Sequence, residues 1–403
     1  MPAERASRAS TSPAPAIPLA RWADRQLKAM ARAHASAALS ALDGAAIMGE
    51  RASNGGFSIA GRISAGPGGS RLMPTRDGGW FALTLIREVD RELLPALFGN
   101  AEIDPSDWNA IEAAAARRDC IELVARGRLL GLPVASADEL PVSQPVQVMT
   151  RGPRRERSPG HRPLVVDLSA IWAGPLAGHL LWQAGMEVVK VESPSRPDLI
   201  RRDDPDTFDR INQGKASVLV DFTCAEQKAA LVALIRRADV VIESSRPRAL
   251  LQLGIDADQL VRDVPGLVWL SVTGHGALGE AAQWVGIGND CGVAGGLSRA
   301  MADLTGEIGY VGDAIADPLT GITAAREGLA AYRSGAAQRI GLSMSAIVSM
   351  ALAEERAHDR AAVDDELHAW GCSVGSAFRH VAPRPLQAPV HPPGADNESY
   401  LPC

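Results

Sequence analysis

Cysteine is scarce in this sequence: five of its 403 residues are cysteines, and no two of them form a CxxC pair. Histidines and cysteines are not clustered at the spacings of zinc motifs, so the pattern argues against a structural zinc site and predicts no bound metal. Scattered single cysteines are typical of proteins from a reducing compartment. They are Cys120, Cys224, Cys291, Cys372 and Cys403.

A long apolar run is also missing, because no stretch approaches the ~20 residues that a membrane span needs. The first twenty residues are rich in Ala, Ser and Pro and lack the apolar core of a signal peptide. We therefore expect a cytoplasmic protein without a membrane partner, in which residues 1–19 form a disordered tail.

Long runs of positive charge are absent too. The chain has 41 Lys and Arg against 47 Asp and Glu, a net charge of −6. Its short basic run, RGPRRER at residues 151–157, contains Gly and Pro, which prevent a basic helix. We interpret this run as part of a linker and expect no nucleic-acid partner.

What the sequence does contain is enough apolar material for two domains, with 46% hydrophobic and 22% charged residues. Residues 163–194 read PLVVDLSAIWAGPLAGHLLWQAGMEVVKVESP. An apolar run of strand length is broken at Gly174 and Pro175, apolar residues then recur at helical spacing, and residues 187–192 alternate as a second strand. This strand–helix–strand unit predicts a parallel sheet with a ligand site at its first loop.

The same unit resembles the opening of the family III CoA-transferases, which include carnitine-CoA and formyl-CoA transferases. In that family a strand ending in Asp-Leu-Ser or similar is followed by Ala-Gly-Pro, a helix, a Gly and a strand reading V-K-V-E. Four later segments stand in the family's order: FDRINQGKASVLVDF, ADVVIESSRPRALLQLGID, PGLVWLSVTGHG and DAIADPLTGITAA. The resemblance covers roughly residues 163–346. It implies an α/β fold, with a Rossmann-like large domain built on a doubly wound parallel sheet and a second, smaller α/β domain.

The order of the domains differs from that of the family. There the smaller domain follows the catalytic half and carries a glycine-rich loop, a DG-W strand and a closing G-(I/L)-P-V-A turn. Here GPGGSRLMPTRDGGWFALTL and GLPVASADEL stand before the catalytic half. The resemblance thus implies a circular permutation, which exposed, neighbouring termini make tolerable. We expect a small α/β domain over residues 20–148, a linker over 149–162 and a large domain over 163–403.

Within the large domain, strands that alternate with helices predict the doubly wound sheet. The expected strands are residues 164–168, 187–192, 216–222, 240–243 and 267–272, and the expected late helices are residues 317–333 and 340–361.

Asp317, in DAIADPLTGITAA, matches the nucleophilic aspartate of the family. From the residues alone, Asp followed by Pro is a common start of a helix, worth ~1 kcal/mol as a cap. Both roles are compatible, because a helix N-terminus favours an ionised carboxylate. Asp313 lies nearby but does not fit the motif.

The resemblance implies covalent transfer of coenzyme A, with CoA and acyl-CoA as substrates and no permanently bound cofactor. The aspartate attacks an acyl-CoA, forms an aspartyl-CoA thioester and passes the CoA to an incoming carboxylic acid. In the family a glycine-rich loop covers the nucleophile and excludes water, and residues 66–69 are the closest match here.

Positions that bind CoA in the family also have counterparts in this chain. At Ser193 relatives often carry a basic residue, and at residues 243–248 the family's E-N-F-x-P-G has become ESSRPR. Arg246 is a candidate replacement for a lost phosphate contact, because an arginine binds phosphate with two donors. A solvated turn residue is the other interpretation of Arg246. The predicted contacts are Trp172, Ala173, Ser193, Thr223, Ser244, Ser245, Arg246 and Gln252.

Three alternatives stay open. A racemase of the same superfamily pairs the aspartate with a histidine in G-H-D, but the stretch here is VGIGNDCGVAGG and His275 precedes it. An NAD-dependent oxidoreductase fits Glu192 as a ribose-binding acid, but the loop lacks G-x-G-x-x-G and Pro175 removes a donor. The third alternative is an inactive CoA-binding scaffold.

The family also forms interlocked homodimers. Two Pro-rich segments, residues 144–162 and 382–393, have the length to wrap around a partner, at ~3.1 Å per residue where extended. We therefore expect an interlocked homodimer.

Overall fold

The computed structural model describes residues 14–66, 69–158 and 160–401. Among these residues, no helix combines the length and the apolar character that crossing a bilayer requires. The strands are β1 (Ser70–Pro74), β2 (Trp80–Thr84), β3 (Val134–Ser136), β4 (Val146–Arg154), β5 (Leu164–Asp167), β6 (Glu187–Glu192), β7 (Ala216–Leu219), β8 (Val240–Glu243), β9 (Val268–Thr273) and β10 (Ala336–Ser343).

The helices of the first half are α1 (Ala20–His34), α2 (Ala37–Ser40), α3 (Gly44–Asn54), α4 (Glu88–Glu92), α5 (Leu94–Phe98), α6 (Trp108–Ala115), α7 (Cys120–Leu130), α8 (Ala173–Gln183), α9 (Ile200–Asp203) and α10 (Pro205–Asn212). Those of the second half are α11 (Ala225–Arg237), α12 (Pro247–Gln252), α13 (Ala257–Asp263), α14 (Gly288–Ala294), α15 (Leu297–Thr305), α16 (Ala316–Ser334), α17 (Met344–Gly371) and α18 (Asn397–Tyr400), with a short 3₁₀ helix at Glu280–Gln283.

The large sheet has the order β4-β10-β9-β8-β5-β6-β7 within the described residues. All neighbouring strands pair in parallel except β4, which is antiparallel to β10. One face of the sheet packs on α8, α16 and α17, and the other on α11 and α13. The protein is therefore an α/β fold with a doubly wound sheet, as the sequence predicted.

A small antiparallel sheet, β1-β2-β3, packs against its own helices through Phe81, Leu97 and Leu123. Its other face contacts the large part, where Leu72 and Ala82 share a core with Val293. This small sheet precedes the large one in the chain. The circular permutation itself stays a prediction.

Several boundaries differ from the sequence expectation. The first part of the segment expected as a linker over residues 149–162 belongs to β4, whose backbone pairs with β10. Helices α1 to α3, expected in the small domain over residues 20–148, bury Trp22 and Leu27 in the core that holds Leu180. Of the tail expected over residues 1–19, residues 1–13 lie outside the described part, and Ile17 and Leu19 are buried.

Two expected elements of the large domain also differ. The helix predicted over residues 340–361 begins only at Met344, because residues 336–343 form β10 between β4 and β9. The strand expected over residues 216–222 ends at Leu219.

Candidate functional site

The candidate site lies where the strand order of the large sheet reverses. β5 leads to β6 on one side through α8, while β8 and β9 lie on the other side. The loops that follow β5, β8 and β9 therefore meet at one edge of the sheet, which is where open α/β sheets bind ligands.

Asp317 is the second residue of α16 and lies beneath these loops, with 5% of its surface exposed. It is held close to the start of α14: a Cβ on Gly288 would lie 2.0 Å from the Asp317 Oδ2 and 2.5 Å from the Ala314 carbonyl oxygen. Only glycine fits at position 288, because any side chain would occupy the space of the carboxylate.

The environment of Asp317 changes the pKa of its carboxyl group through burial, a nearby charge and backbone donors. Burial raises the pKa of Asp317 to about 7, against the positive charge of Arg51 and the backbone N–H groups of Ala173 and Gly288, which lower it. Ala173 and Gly288 are the first residues of α8 and α14, so their N–H groups have no partner within their own helices. The carboxylate form is thus bound by donors that the fold orients in advance.

Arg51, on α3, is the cation whose positive charge lowers the pKa of Asp317. Its guanidinium donates to both carboxylate oxygens of Asp313, with Nε 2.8 Å from Oδ2. It also lies 5.2 Å from the ring centre of Trp172 and 5.5 Å from that of Phe57. The Asp313 carboxylate is therefore paired with Arg51. This pairing agrees with the poor fit of Asp313 to the motif of the nucleophile.

Two cavities meet at Asp317. The first, of about 310 Å³, is lined by the loops after β5, β8 and β9. The second, of about 690 Å³, is lined by Arg51 and Phe57 and by residues of the small sheet, among them Ser70 and Leu85. Ile171 lines both cavities and has φ of 71°, a left-handed conformation that β-branched residues rarely adopt. Asp317 can thus contact a molecule that enters from either side.

Five of the predicted CoA contacts surround these cavities. Trp172 lines the second cavity, whereas Ala173, Ser244, Ser245 and Arg246 line the first. The loop after β8 is brought to the loop after β5, since the Ser244 hydroxyl lies 3.5 Å from the Ala170 nitrogen. These residues stay predictions as CoA contacts.

The other three predicted contacts do not line the cavities of Asp317. Ser193 is buried beside Ser195, with the two hydroxyl oxygens 3.0 Å apart. Thr223 donates to the Asp221 carboxylate, and Gln252 is exposed at the end of α12. Their side chains therefore lie away from the nucleophile in this structure.

Sequence reasoning missed two arginines of the first cavity. Arg196 follows Ser193 by three residues and lines this cavity, at the end of a turn closed by a bridge between the two residues. Arg87, from the small part of the chain, also lines it and pairs with Asp90. The sequence signal that could have indicated Arg196 is the arginine of SPSR. It lies three residues after Ser193, the position at which relatives often carry a basic residue.

The glycine-rich segment predicted as a lid is described only in part, because Pro67 and Gly68 lie outside the described residues. Gly69 lines the second cavity, as do Ser64 and Ala65. The described ends of the segment thus lie on the side of the cavity formed by the small sheet.

Two residues of the alternative interpretations are engaged elsewhere. His275 is 3% exposed, lies beside Asp290 and lines a third cavity rather than those of Asp317. Glu192 is buried, pairs with Arg201 and accepts from the Asp198 N–H, so its carboxylate is not presented to a ribose.

Comparisons with known proteins identify the family of this chain. Residues 163–379 match the model of CoA-transferase family III. A succinate–glutarate CoA-transferase of Agrobacterium fabrum is 31% identical over 208 residues, which are 47% of this chain and 52% of that protein. A probable fatty acyl-CoA transferase of Mycobacterium tuberculosis is 31% identical over 197 residues, 45% of this chain and 49% of that protein.

A solved structure of a CAIB/BAIF family protein from Brucella suis has a TM-score of 0.44 at 30% identity, covering 51% of this chain and 58% of that one. The chain spans about half the length of the curated relatives it matches. Because the family model matches more than half of the sequence, the chain belongs to CoA-transferase family III.

Proposed function

We propose that this protein transfers coenzyme A from an acyl-CoA to a carboxylic acid, with Asp317 as the covalent nucleophile. The observation that carries the proposal is the place of Asp317, buried at the junction of two cavities. A transfer between two acids needs a carboxylate that both the thioester and the incoming acid can reach. The identity of the two acids is left open.

The proposed reaction has four balanced steps. The Asp317 carboxylate attacks the thioester carbonyl, which forms a mixed anhydride and releases CoA thiolate. The thiolate attacks the aspartyl carbonyl of the anhydride, which forms an aspartyl-CoA thioester and releases the donor acid. The acceptor carboxylate then attacks this thioester, giving a second anhydride and CoA thiolate, and the thiolate takes the acceptor acyl group and restores Asp317.

Each neighbouring group has a role in these steps. The N–H groups of Ala173 and Gly288 point at the carboxyl oxygens, so they can stabilise the oxyanion that develops when thiolate or acid attacks the aspartyl carbonyl. Arg51 favours the ionised, nucleophilic form of Asp317. Arg196 and Arg246 supply positive charge to the first cavity, which suits the phosphates of CoA.

Water must be kept from the anhydrides, because they hydrolyse readily. The burial of Asp317 and the apolar side chains of Leu85, Ile171 and Trp172 around it support this requirement. The glycine-rich segment over residues 66–69 is the proposed cover.

Trapping the covalent intermediate tests the proposal directly. Incubation with acyl-CoA and then hydroxylamine is expected to convert Asp317 to a hydroxamate, which mass spectrometry of the digested protein locates. Asp317→Asn should fold, since Asn has nearly the same size and shape as Asp, but lose the adduct and several orders of magnitude in transfer rate. Asp303→Asn, at an exposed position on α15, is the matched control and should keep both.

The possible outcomes separate the alternatives. Near-normal transfer by Asp317→Asn would reduce Asp317 to a helix-starting residue. CoA binding without adduct or transfer in the wild-type protein would indicate the inactive scaffold. Exchange of the α-proton of an acyl-CoA without transfer would indicate the racemase, which the position of His275 in another cavity does not favour.

A further inference from the structure

A cluster of three buried side chains lies apart from the proposed nucleophile. His275 follows β9, and Asp290 and Cys291 lie in the first turns of α14. His275 precedes the adjacent pair Asp290 and Cys291 by fifteen residues, so no local motif marks the cluster. Their ligating atoms, the His275 ring nitrogen, an Asp290 carboxylate oxygen and the Cys291 sulfur, all lie within 4.8 Å of one another.

The imidazole of His275 is not satisfied by the protein. Its Nε2 atom is buried and has no hydrogen-bond partner among the described residues. The Asp290 Oδ2 is 3.8 Å from it, too far for a hydrogen bond. A buried nitrogen without a hydrogen-bond partner costs free energy of folding. A bound ligand would supply the interaction that the protein does not provide for this atom.

The distances in the cluster are close to those of a metal site. Ligands about 2.0 to 2.3 Å from one tetrahedral zinc ion lie about 3.5 Å from each other. Here the Asp290 Oδ2 is 3.8 Å from the His275 Nε2 and 3.9 Å from the Cys291 Sγ. These two distances exceed the expected value by a few tenths of an ångström, which small side-chain rotations would close.

The backbone leaves this space free through a glycine. A Cβ on Gly286 would lie 2.5 Å from the Cys291 Sγ and 3.0 Å from the His275 Nε2. Any other residue at position 286 would therefore push these two ligand atoms out of place.

An entry path to His275 is also present. His275 lines a cavity of about 560 Å³, whose wall includes Ile121 and Leu140, each 80% exposed, so the cavity reaches the surface. Arg128, also in its wall, is paired with Glu139 at 2.8 Å. Zinc ions with three protein ligands take a water molecule as the fourth ligand.

We propose that His275, Asp290 and Cys291 bind one divalent zinc-class cation. A thiolate and an imidazole select zinc or cobalt over magnesium and calcium, which prefer oxygen ligands. One thiolate and one carboxylate balance the two positive charges of the ion, so the buried site is neutral. The ion ties the loop after β9 to α14, the helix whose first residue faces Asp317.

Cobalt titration of the full-length protein, stripped of metal under reducing conditions, tests the site. One equivalent of Co²⁺ is expected to produce a sulfur-to-cobalt charge-transfer band in the near ultraviolet, and added Zn²⁺ should abolish this band. Zn²⁺ should also raise the midpoint of thermal unfolding, because it binds only the folded arrangement of the three ligands.

Two variants and a control test the assignment of the ligands. Cys291→Ser should lose the band, and His275→Gln should lose stoichiometric binding while keeping the thiol. Cys372→Ser is the control, since this exposed thiol lies 3.9 Å from the ring nitrogens of His368 and is the competing pair in the described chain. The proposal is overturned if stoichiometric Co²⁺ gives no band, or if the band survives in Cys291→Ser or disappears in Cys372→Ser. Because the readout is metal binding, the result is independent of whether Asp317 transfers CoA.

Discussion

Asp317 combines two requirements that oppose each other: burial protects an anhydride from water but disfavours the carboxylate that must attack. The protein meets both with two backbone donors and one partly buried cation, so that the pKa of the carboxyl group is raised only to about 7. Arg51 supplies the cation, and Asp313 fixes its orientation.

Arg51→Gln is expected to shift the pH dependence of transfer to higher pH. Removing the positive charge removes an interaction that lowers the pKa of Asp317, so the ionised form appears only at higher pH. Activity should rise with pH through the pKa of Asp317, and each unit by which that pKa rises lowers the rate at a fixed acidic pH about tenfold. The profile of kcat/KM against pH measures this shift, because it reports the free enzyme.

Arg51→Lys serves as the matched variant. It keeps the charge but loses the two-donor contact to Asp313, so its profile should move less than that of Arg51→Gln. Equal losses of activity at every pH in both variants would contradict an electrostatic role and leave Arg51 as a structural residue.

The burial of Asp317 also predicts a dependence of stability on pH. A carboxyl group whose pKa rises from 3.8 to about 7 on folding contributes stability below pH 3.8 that is lost as the pH rises to about 7. The Asn side chain of Asp317→Asn does not ionise, so the variant does not lose this stability as the pH rises. Its free energy of unfolding relative to wild type should therefore be higher at pH 8 than at pH 4, by on the order of 4 kcal/mol.

Urea unfolding of both proteins at the two pH values checks this difference. Comparing the proteins at each pH cancels the titration of all other groups. A difference between them that is the same at pH 4 and pH 8 would mean that Asp317 is not buried as the structure has it.

At the scale of residues, the sequence could indicate Asp317 and Arg246 because each lies in a recognisable local segment. It could not indicate Arg51, which reaches Asp313 across 262 residues of chain through the packing of α3. Nor could it show that Ser193 turns inward while Arg196 lines the cavity, because that depends on how the turn after β6 closes. Side-chain direction at a loop is fixed by tertiary contacts.

At the scale of elements, the start of α14 is the part of the site that tolerates change least. Gly288→Ala should displace α14 from Asp317, because the added Cβ would overlap both the carboxylate and the Ala314 carbonyl. Misplacing one donor by about 1 Å costs about 100-fold in rate. We expect a loss of this order in kcat/KM for transfer, with thermal unfolding used to confirm that the variant folds.

Gly292→Ala, one turn further along α14, is the control. Its Cβ would meet only the Ile315 Cγ2 atom at 3.1 Å, and alanine favours the helix by about 1 kcal/mol. Near-normal transfer by Gly288→Ala, or an equal loss by Gly292→Ala, would speak against a specific contact between α14 and Asp317.

Elements with a regular apolar pattern could be predicted from the sequence. Elements that form by pairing with a distant segment of the chain could not. The unit β5-α8-β6 has its own apolar pattern and lies where the sequence places it. β4 contains RGPR, which looks like a linker, yet it pairs at the edge of the sheet, where a proline is tolerated. Gly152 within it allows α13 to approach, since a Cβ there would lie 1.9 Å from the Val261 carbonyl oxygen.

At the scale of the whole molecule, the two parts of the chain build one site. The small sheet supplies Ser70 and Leu85 to the cavity at Asp317, and α3 supplies Arg51 from the N-terminal helices that pack in the core of the large part. Composition pointed to two domains but could not show which of them receives α1 to α3. That depends on where Trp22 and Leu27 find apolar partners.

The expected interlocked homodimer is the last prediction. Of the two Pro-rich segments expected to wrap a partner, the one over residues 144–162 contains β4, which pairs with β10 of its own sheet. In the other, the Pro389 carbonyl accepts from the Gly214 N–H, just before β7. Both segments thus have contacts within one chain, and the wrapping of a partner stays a prediction.

Light scattering at micromolar concentration should give twice the mass of one chain. If the chains are interlocked, dilution to nanomolar concentration should not halve this mass, because separation would require unfolding. A dimer that dissociates on dilution would retain the pairing but refute the interlocking. A monomer at micromolar concentration would refute both.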